Sequence, residues 1–456
     1  MCVFRLARYG VLAIVAASSM ALLAGTIAAD PAAARVTGAG AATASSGGAQ
    51  QWVSFYTGPG APEDQADSVA VARSGSAVFV TGNSSSSSPA AISDYATVAY
   101  KASTGAKLWA RRYTGIGGMG GTAQAVAVDP AGRRVFVTGY SLGQGSFTDY
   151  VTIAYNAVTG ARLWLRRYDG PGSGHDYASD VAVSPDGSRV FVTGSSRPGS
   201  ASNGDYATVA YDAATGVQLW ATRYSGPGNP NDTATSLAVG PGGATVYVTG
   251  GSGRDFATVA YDAATGGQLW VSRRTGYARA VAVSPDGHVV YVTGSSGLSF
   301  ATVAYHAATG TLRWESRYNG AAGSVSGANW LDLSPSGTMV YVTGTADLEF
   351  ETVAYDAATG ARRWARRFNG PGESYAAAPQ VAVGPRGHTV YITGGPGEYV
   401  ATVAYNAATG ASRWVRLRRG TGTSLAVNPV TGTVYVTGGA KRTASFLDYM
   451  TIAYHG

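Results

Sequence analysis

The sequence predicts an all-β fold, an eight-bladed β-propeller of four-stranded antiparallel blades closed by the N-terminal strand. Three observations lead there. Glycine supplies 64 of the 456 residues and only 13% are charged, which suits short strands joined by tight turns rather than helices. Four strand-like segments recur in fixed order along the chain. The fourth segment is missing after the last repeat, and a matching copy stands before the first.

Each segment can be followed through the chain. The first reads "AVAV", as at 69–71 and 181–183. The second ends in "VTG"-type text at Gly82, Gly139, Gly194, Gly250, Gly294, Gly344, Gly394 and Gly438. The third is "T(V/I)AY", ending at Tyr100, Tyr155, Tyr211, Tyr261, Tyr305, Tyr355, Tyr405 and Tyr454. The fourth carries Trp109, Trp164, Trp220, Trp270, Trp314, Trp364 and Trp414. The eighth tryptophan is Trp52, in "QWVSFYTGPG", so the N-terminal strand is expected to complete the last blade. Such a ring leaves no open sheet between its ends. Residues 51–456 give about 51 residues per repeat, a length that fits four-stranded blades. Within each repeat, "SPDG" (184–187, 284–287) is turn chemistry. In "DAATG" the glycine is placed to take a left-handed conformation.

The third-to-fourth-strand hairpin resembles a known motif. A-x-D-x-x-T-G-x-x-x-W is the tryptophan-docking motif of the pyrroloquinoline-quinone-type propeller repeat. Ala210, Asp212, Thr215, Gly216 and Trp220 match it in full, as do the hairpins of Trp270 and Trp364. The other hairpins keep Ala, Thr, Gly and Trp but place Lys101, Asn156, His306 or Asn406 at the aspartate. The "YVTG" segments are also similar to bacterial YVTN-type propeller repeats. The resemblance implies an eight-bladed ring in which each tryptophan packs between blades. In the family's quinone-dependent alcohol dehydrogenases adjacent cysteines stand near the quinone. The one cysteine here is Cys2, so no cofactor is expected.

Domain boundaries follow from the N-terminus. Arg5 and Arg8 precede an apolar stretch at 11–29, followed by small residues through Ala34. Residues 1–34 read as a secretory signal peptide and 35–50 as a flexible linker. The expected location is therefore outside the cell or in its envelope, with no stable membrane insertion after cleavage. With Cys2 removed, no disulfide or thiolate chemistry remains. The net charge of +7 comes from arginines at fixed repeat positions, not from a basic run, so no nucleic-acid partner is expected.

Catalytic motifs are not evident: the five histidines show no metal-ligand spacing, and neither a G-x-S-x-G elbow nor a P-loop occurs. Two readings of function stay open. One is a monomeric, noncatalytic module binding a protein or glycan. The other is a cryptic enzyme, either a quinoprotein-like oxidoreductase or a lyase or lactonase using the axial channel.

Candidate ligand residues come from departures from the repeat. Asp332 stands where seven repeats have alanine, and Trp330 lies two residues before it. Asp180 takes the Trp330 position in the third repeat. Loops after the second strand hold 11, 9, 10 and 9 residues in repeats one, two, three and eight but three or four elsewhere. These long loops carry Tyr140, Phe147, Arg197, Lys441, Arg442 and Phe446, and loops on a rigid scaffold are where binding residues concentrate.

A charged pattern also repeats. An acid precedes the third strand (Asp94, Asp149, Asp205, Asp255, Glu349, Glu398, Asp448), and an arginine follows the tryptophan by three (Arg112, Arg167, Arg223, Arg273, Arg317, Arg367). Pairing Asp212 with Val217 and counting back puts Asp205 opposite Tyr224 and Arg223 opposite Tyr206. Acid and arginine then point to opposite sheet faces, and the expectation is an ion-pair ring between neighbouring blades.

Overall fold

The structure is a computed structural model. It describes residues 34–36, 47–59, 63–85, 93–143, 145, 147–199, 203–228, 231–320, 326–347, 349–370, 376–396, 398–443 and 446–456. These form eight four-stranded antiparallel sheets. In blade three the strands are Asp176–Val183, Arg189–Ser196, Asp205–Asp212 and Gln218–Tyr224, in that spatial order. The first strands of successive blades touch one another around the complete ring and so line its axis. Blade six carries a fifth strand: residues 34–36, within the segment expected to be signal and linker, lie parallel to the outer strand Arg362–Phe368.

Closure occurs as expected. Gln50–Tyr56 pairs antiparallel with the third strand of blade eight, Trp52 facing Ala453 and Tyr56 facing Tyr449. The ring begins slightly before residue 51. Gly48 N–H donates to His455 C=O at 2.7 Å, the same bond that Gly216 N–H makes to Asp212 C=O at 2.8 Å.

The repeated hairpin is a docking device for the preceding blade. Gly216 has φ of +71°, and a Cβ there would meet Cδ2 of Trp164 at 2.6 Å. Only glycine satisfies both the left-handed backbone and the close approach. The Trp164 indole N–H donates to Ala213 C=O at 3.1 Å. This arrangement repeats around the ring and ends with Trp414 against Gly48. Each of the eight docking tryptophans is at most 8% exposed, and its ring is flanked by aromatic side chains: Trp270 has Tyr247 at 5.8 Å and Tyr305 at 6.2 Å.

The charged pattern requires a correction. Acid and arginine pair within a blade: Arg112–Asp94 at 2.6 Å, Arg167–Asp149 at 2.9 Å, Arg223–Asp205 at 2.7 Å, Arg273–Asp255 at 3.2 Å and Arg367–Glu349 at 2.8 Å. The cause is a bulge. Ala210 faces Trp220 but Tyr211 faces Gln218, so Leu219 is an extra residue and Arg223 faces Ala207, not Tyr206. A one-residue slip turns every later side chain to the other face. Arg223 therefore shares a face with Asp205. Contact between blades comes instead from tyrosines: Arg167 donates to the Tyr113 hydroxyl at 3.0 Å and Arg273 to that of Tyr224 at 2.7 Å. In blade five Ser299 replaces the acid, and Arg317 turns to Glu315 at 3.0 Å.

Candidate binding site on the long-loop face

The connections between second and third strands lie at the end of the blades opposite the "DAATG" hairpins. Three predicted residues meet at the seam between blades two and three. Tyr140, on the second strand of blade two (Arg134–Leu142), packs edge-on against Tyr177, centroids 4.7 Å apart. Phe147, just before the third strand (Thr148–Asn156), lies 4.7 Å from the His175 ring. His175 and Tyr177 stack nearly parallel, 7° apart at 5.7 Å. The result is a row of four rings, Phe147–His175–Tyr177–Tyr140, with Phe147 at its open end, 47% exposed. Arg197 lies beside it: its backbone N–H donates to His175 C=O at 3.0 Å.

The polar edges are fixed. His175 Nδ1 is 3.2 Å from Thr148 Oγ1 and 3.1 Å from the Tyr177 hydroxyl. Partial burial, then the Arg197 charge, lower the His175 pKa, favouring the neutral ring. On the same strands and the loop after Tyr168, carboxylate oxygens of Asp149, Asp169 and Asp176 lie within 4.8 Å of one another. Arg167 neutralises Asp149, and Gly170 N–H donates to Asp176 at 2.6 Å. Burial, opposed by that bond, pushes Asp176 up to about 6, with Asp169 and Asp149 adding to the rise. The seam thus presents aromatic faces beside an arginine, with Asp169 exposed and Asp149 and Asp176 buried, a combination suited to holding a partner's apolar side chains.

The remaining loop residues are not gathered there. Lys441 is exposed on the second strand of blade eight, facing Leu447. The side chains of Arg442 and Phe446, and the tips of the loops of blades one, three and eight, fall outside the described residues. His175 and Tyr177 went unread in the sequence because they lie where the chain enters the first strand of blade three, not in a lengthened loop.

Trp330, Asp332 and Asp180 lie on innermost strands, separately. These strands are sheet edges, so their outward N–H groups need acceptors. Side chains of the preceding blade supply them. Asp180 Oδ1 accepts from Val181 N–H at 2.8 Å and Oδ2 from Leu237 N–H, in blade four, at 2.9 Å. Asp332 accepts from Leu333 N–H at 2.8 Å and from Val383 N–H, in blade seven, at 2.7 Å. Gln380 takes Leu425 N–H and Ser424 takes Val69 N–H in the same way. The two aspartates are clasps between blades, while Trp330 is 37% exposed and cannot accept such a bond.

These clasps carry a pH signature. Burial pushes both aspartates up to about 6 against the N–H bonds, which act to lower them. Because the folded value exceeds the ordinary 3.8, the native state holds more protons, and stability falls as pH rises from about 4 to about 6. Denaturant titrations at pH 4.5 and 6.5 should show a shallower decline for the Asp180→Ala/Asp332→Ala double variant, by roughly 1–3 kcal/mol per pH unit. An unchanged slope removes the two carboxyls from the pH dependence.

Repeat comparison also marks a residue not read from the sequence. Glu351 replaces the alanine of "ATVAY", is fully buried, and lies 3.0 Å from Arg367. Burial, offset by Arg367, pushes it up to about 7.

The family model described as outer membrane protein assembly factor BamB matches residues 34–301 and 255–451. The chain belongs to this family. No curated protein matches the chain. The BamB-family propeller is similar in fold to Sqt1 of Chaetomium thermophilum, solved bound to the N-terminus of the ribosomal protein L10: 14% identity, TM-score 0.61, covering 89% of this chain and 100% of that one. It is also similar to the Dos1 propeller, at 12% identity and TM-score 0.59, covering 86% and 95%.

Proposed function

We propose that this protein is an exported, noncatalytic scaffold that binds a protein partner on its long-loop face, at the seam of blades two and three. The aromatic row from Phe147 to Tyr140 carries the reading. Exposed aromatic side chains held by a rigid frame are the residue types that dominate binding energy at protein interfaces. Export is supported by the basic start and apolar stretch at 11–29. The assembly-factor description of the family is in keeping with a binding role, and Sqt1 offers a propeller of this fold that holds a protein segment.

A photo-crosslinking residue at position 147 should capture a discrete partner from the exporting cell. The same residue at Val217, exposed on the opposite hairpin turn, should not. Once the partner is in hand, Phe147→Ala should weaken binding about tenfold or more with little change in melting temperature. Equal capture from both positions, or full affinity in Phe147→Ala, places the interface elsewhere.

A further inference from the structure

Every innermost strand described at its bulge has one extra residue, and in two blades that residue is a threonine with a specific task. Thr235, between Ala234 and Ser236 in the bulge of blade four, directs its hydroxyl to two carbonyls: Thr249 of its own blade and Ala278 of blade five, each at 3.2 Å. Thr423 does the same in blade eight, to Thr437 C=O at 3.1 Å and Ala66 C=O of blade one at 2.6 Å. The bulge hydroxyl is thus a donor that ties one blade to the next.

In blade one this position is Asp67, between Ala66 and Ser68. The equivalent acceptors, by repeat position, are the carbonyls of Thr81 and Ala123. A carboxylate has no proton for either and would be repelled by both, whereas a carboxylic acid donates as threonine does. Asp67 Oδ2 is buried and makes no hydrogen bond among the described residues. Burial is the influence that acts on its charge. Of the strands packed against its own, Ala77–Ser84, Gly121–Val128 and Thr421–Val427 carry no charged residue, while the second strand of blade eight, Val434–Thr443, carries Lys441, which is exposed, and Arg442, whose side chain lies outside the described residues. On its own strand, Asp64 is engaged by Gly58 N–H at 2.6 Å and the Ser84 hydroxyl at 2.5 Å. The third strand of blade eight contributes Asp448 and Tyr449, and the Tyr449 hydroxyl donates to Ala96 C=O at 3.2 Å.

We propose that Asp67 is held protonated in the folded ring and acts as a proton-dependent latch between the innermost strands of blades one and two, in the role that threonine plays in blades four and eight. Burial acts in the same direction, pushing the Asp67 carboxyl up to about 7. Losing the proton turns the latch into a repulsive contact, so the seam loosens as pH rises through neutrality.

The protein's own repeat supplies the test, Asp67→Thr, which keeps the donor and removes the titration. Between about pH 5 and 7 the unfolding constant of the wild type, divided by that of Asp67→Thr, should rise up to about tenfold per pH unit and then level off. A ratio that stays constant from pH 5 to 8 overturns the proposal. Asp67→Asn, an amide donor, should give the same profile and serves if the threonine variant does not fold. In the unmodified protein, the 13C shift of the Asp67 carboxyl should titrate near 7, and a midpoint near 4 overturns the latch directly.

Discussion

Removing residues 47–58 should collapse the ring. This segment supplies the outer strand of blade eight and the Trp52 indole. Trp52 lies between Tyr100 and Tyr435 at 6.2 and 5.7 Å and donates to Ala102 C=O of blade one at 2.9 Å. Losing one buried tryptophan costs about 3–5 kcal/mol. Here the deletion also strips Gly48 from the face of Trp414 and bares the backbone of the third strand, Phe446–Tyr454. An unpaired edge invites pairing with other chains. Size-exclusion chromatography should show aggregates, and any monomer should melt well below the intact protein. A monomeric product with an unchanged melting temperature would refute closure by this strand.

The next largest effect is expected at the hairpins. Trp270→Ala should destabilise by about 3–5 kcal/mol, since the ring is buried between blades four and five and its N–H bond to Ala307 C=O is 2.9 Å. The complementary change tests the same joint from the other side. Gly310 has φ of +69°, and a Cβ there would meet Trp270 Cδ2 at 2.6 Å. Gly310→Val therefore combines backbone strain with an overlap and should cost about 2–4 kcal/mol. Urea titrations measure both. If docking is a single joint, the double variant will lose less than the sum of the two. Additive losses would mean that ring and turn act independently.

Much of this architecture was legible because the repeat exposes it. Glycine at a fixed distance from tryptophan recorded the turn and what it packs against, and the displaced copy at Trp52 recorded closure. Register was harder. The bulge at Leu219 leaves no mark in the text, since an extra residue in a strand looks like any other, yet it decides which face Arg223 shares. The candidate site divides in the same way. Tyr140, Phe147 and Arg197 were visible as residues of lengthened loops. His175 and Tyr177, the centre of the row, reach it through the fold of a different blade, a juxtaposition that no local pattern encodes. Asp332 stands out in the sequence as the one acid at a position that is otherwise alanine. Its role as a clasp depends on the edge N–H of Val383, about fifty residues away in the chain.

The junction between His455 and Gly48 has a consequence for how the chain could be cut. Gly48 N–H bonds His455 C=O, and His455 N–H bonds Ala49 C=O at 2.9 Å, so blade eight has a hairpin turn complete in geometry but interrupted in covalent connection. Seven other blades have the same turn unbroken. The ring therefore has no structurally privileged first blade. A circular permutant with residues 48 and 455 joined by a short bridge, and the chain opened at "AATG" (213–216), would carry the same set of joints in rotated order. The position of the interruption is a property of how the polypeptide is written, and the fold is indifferent to it.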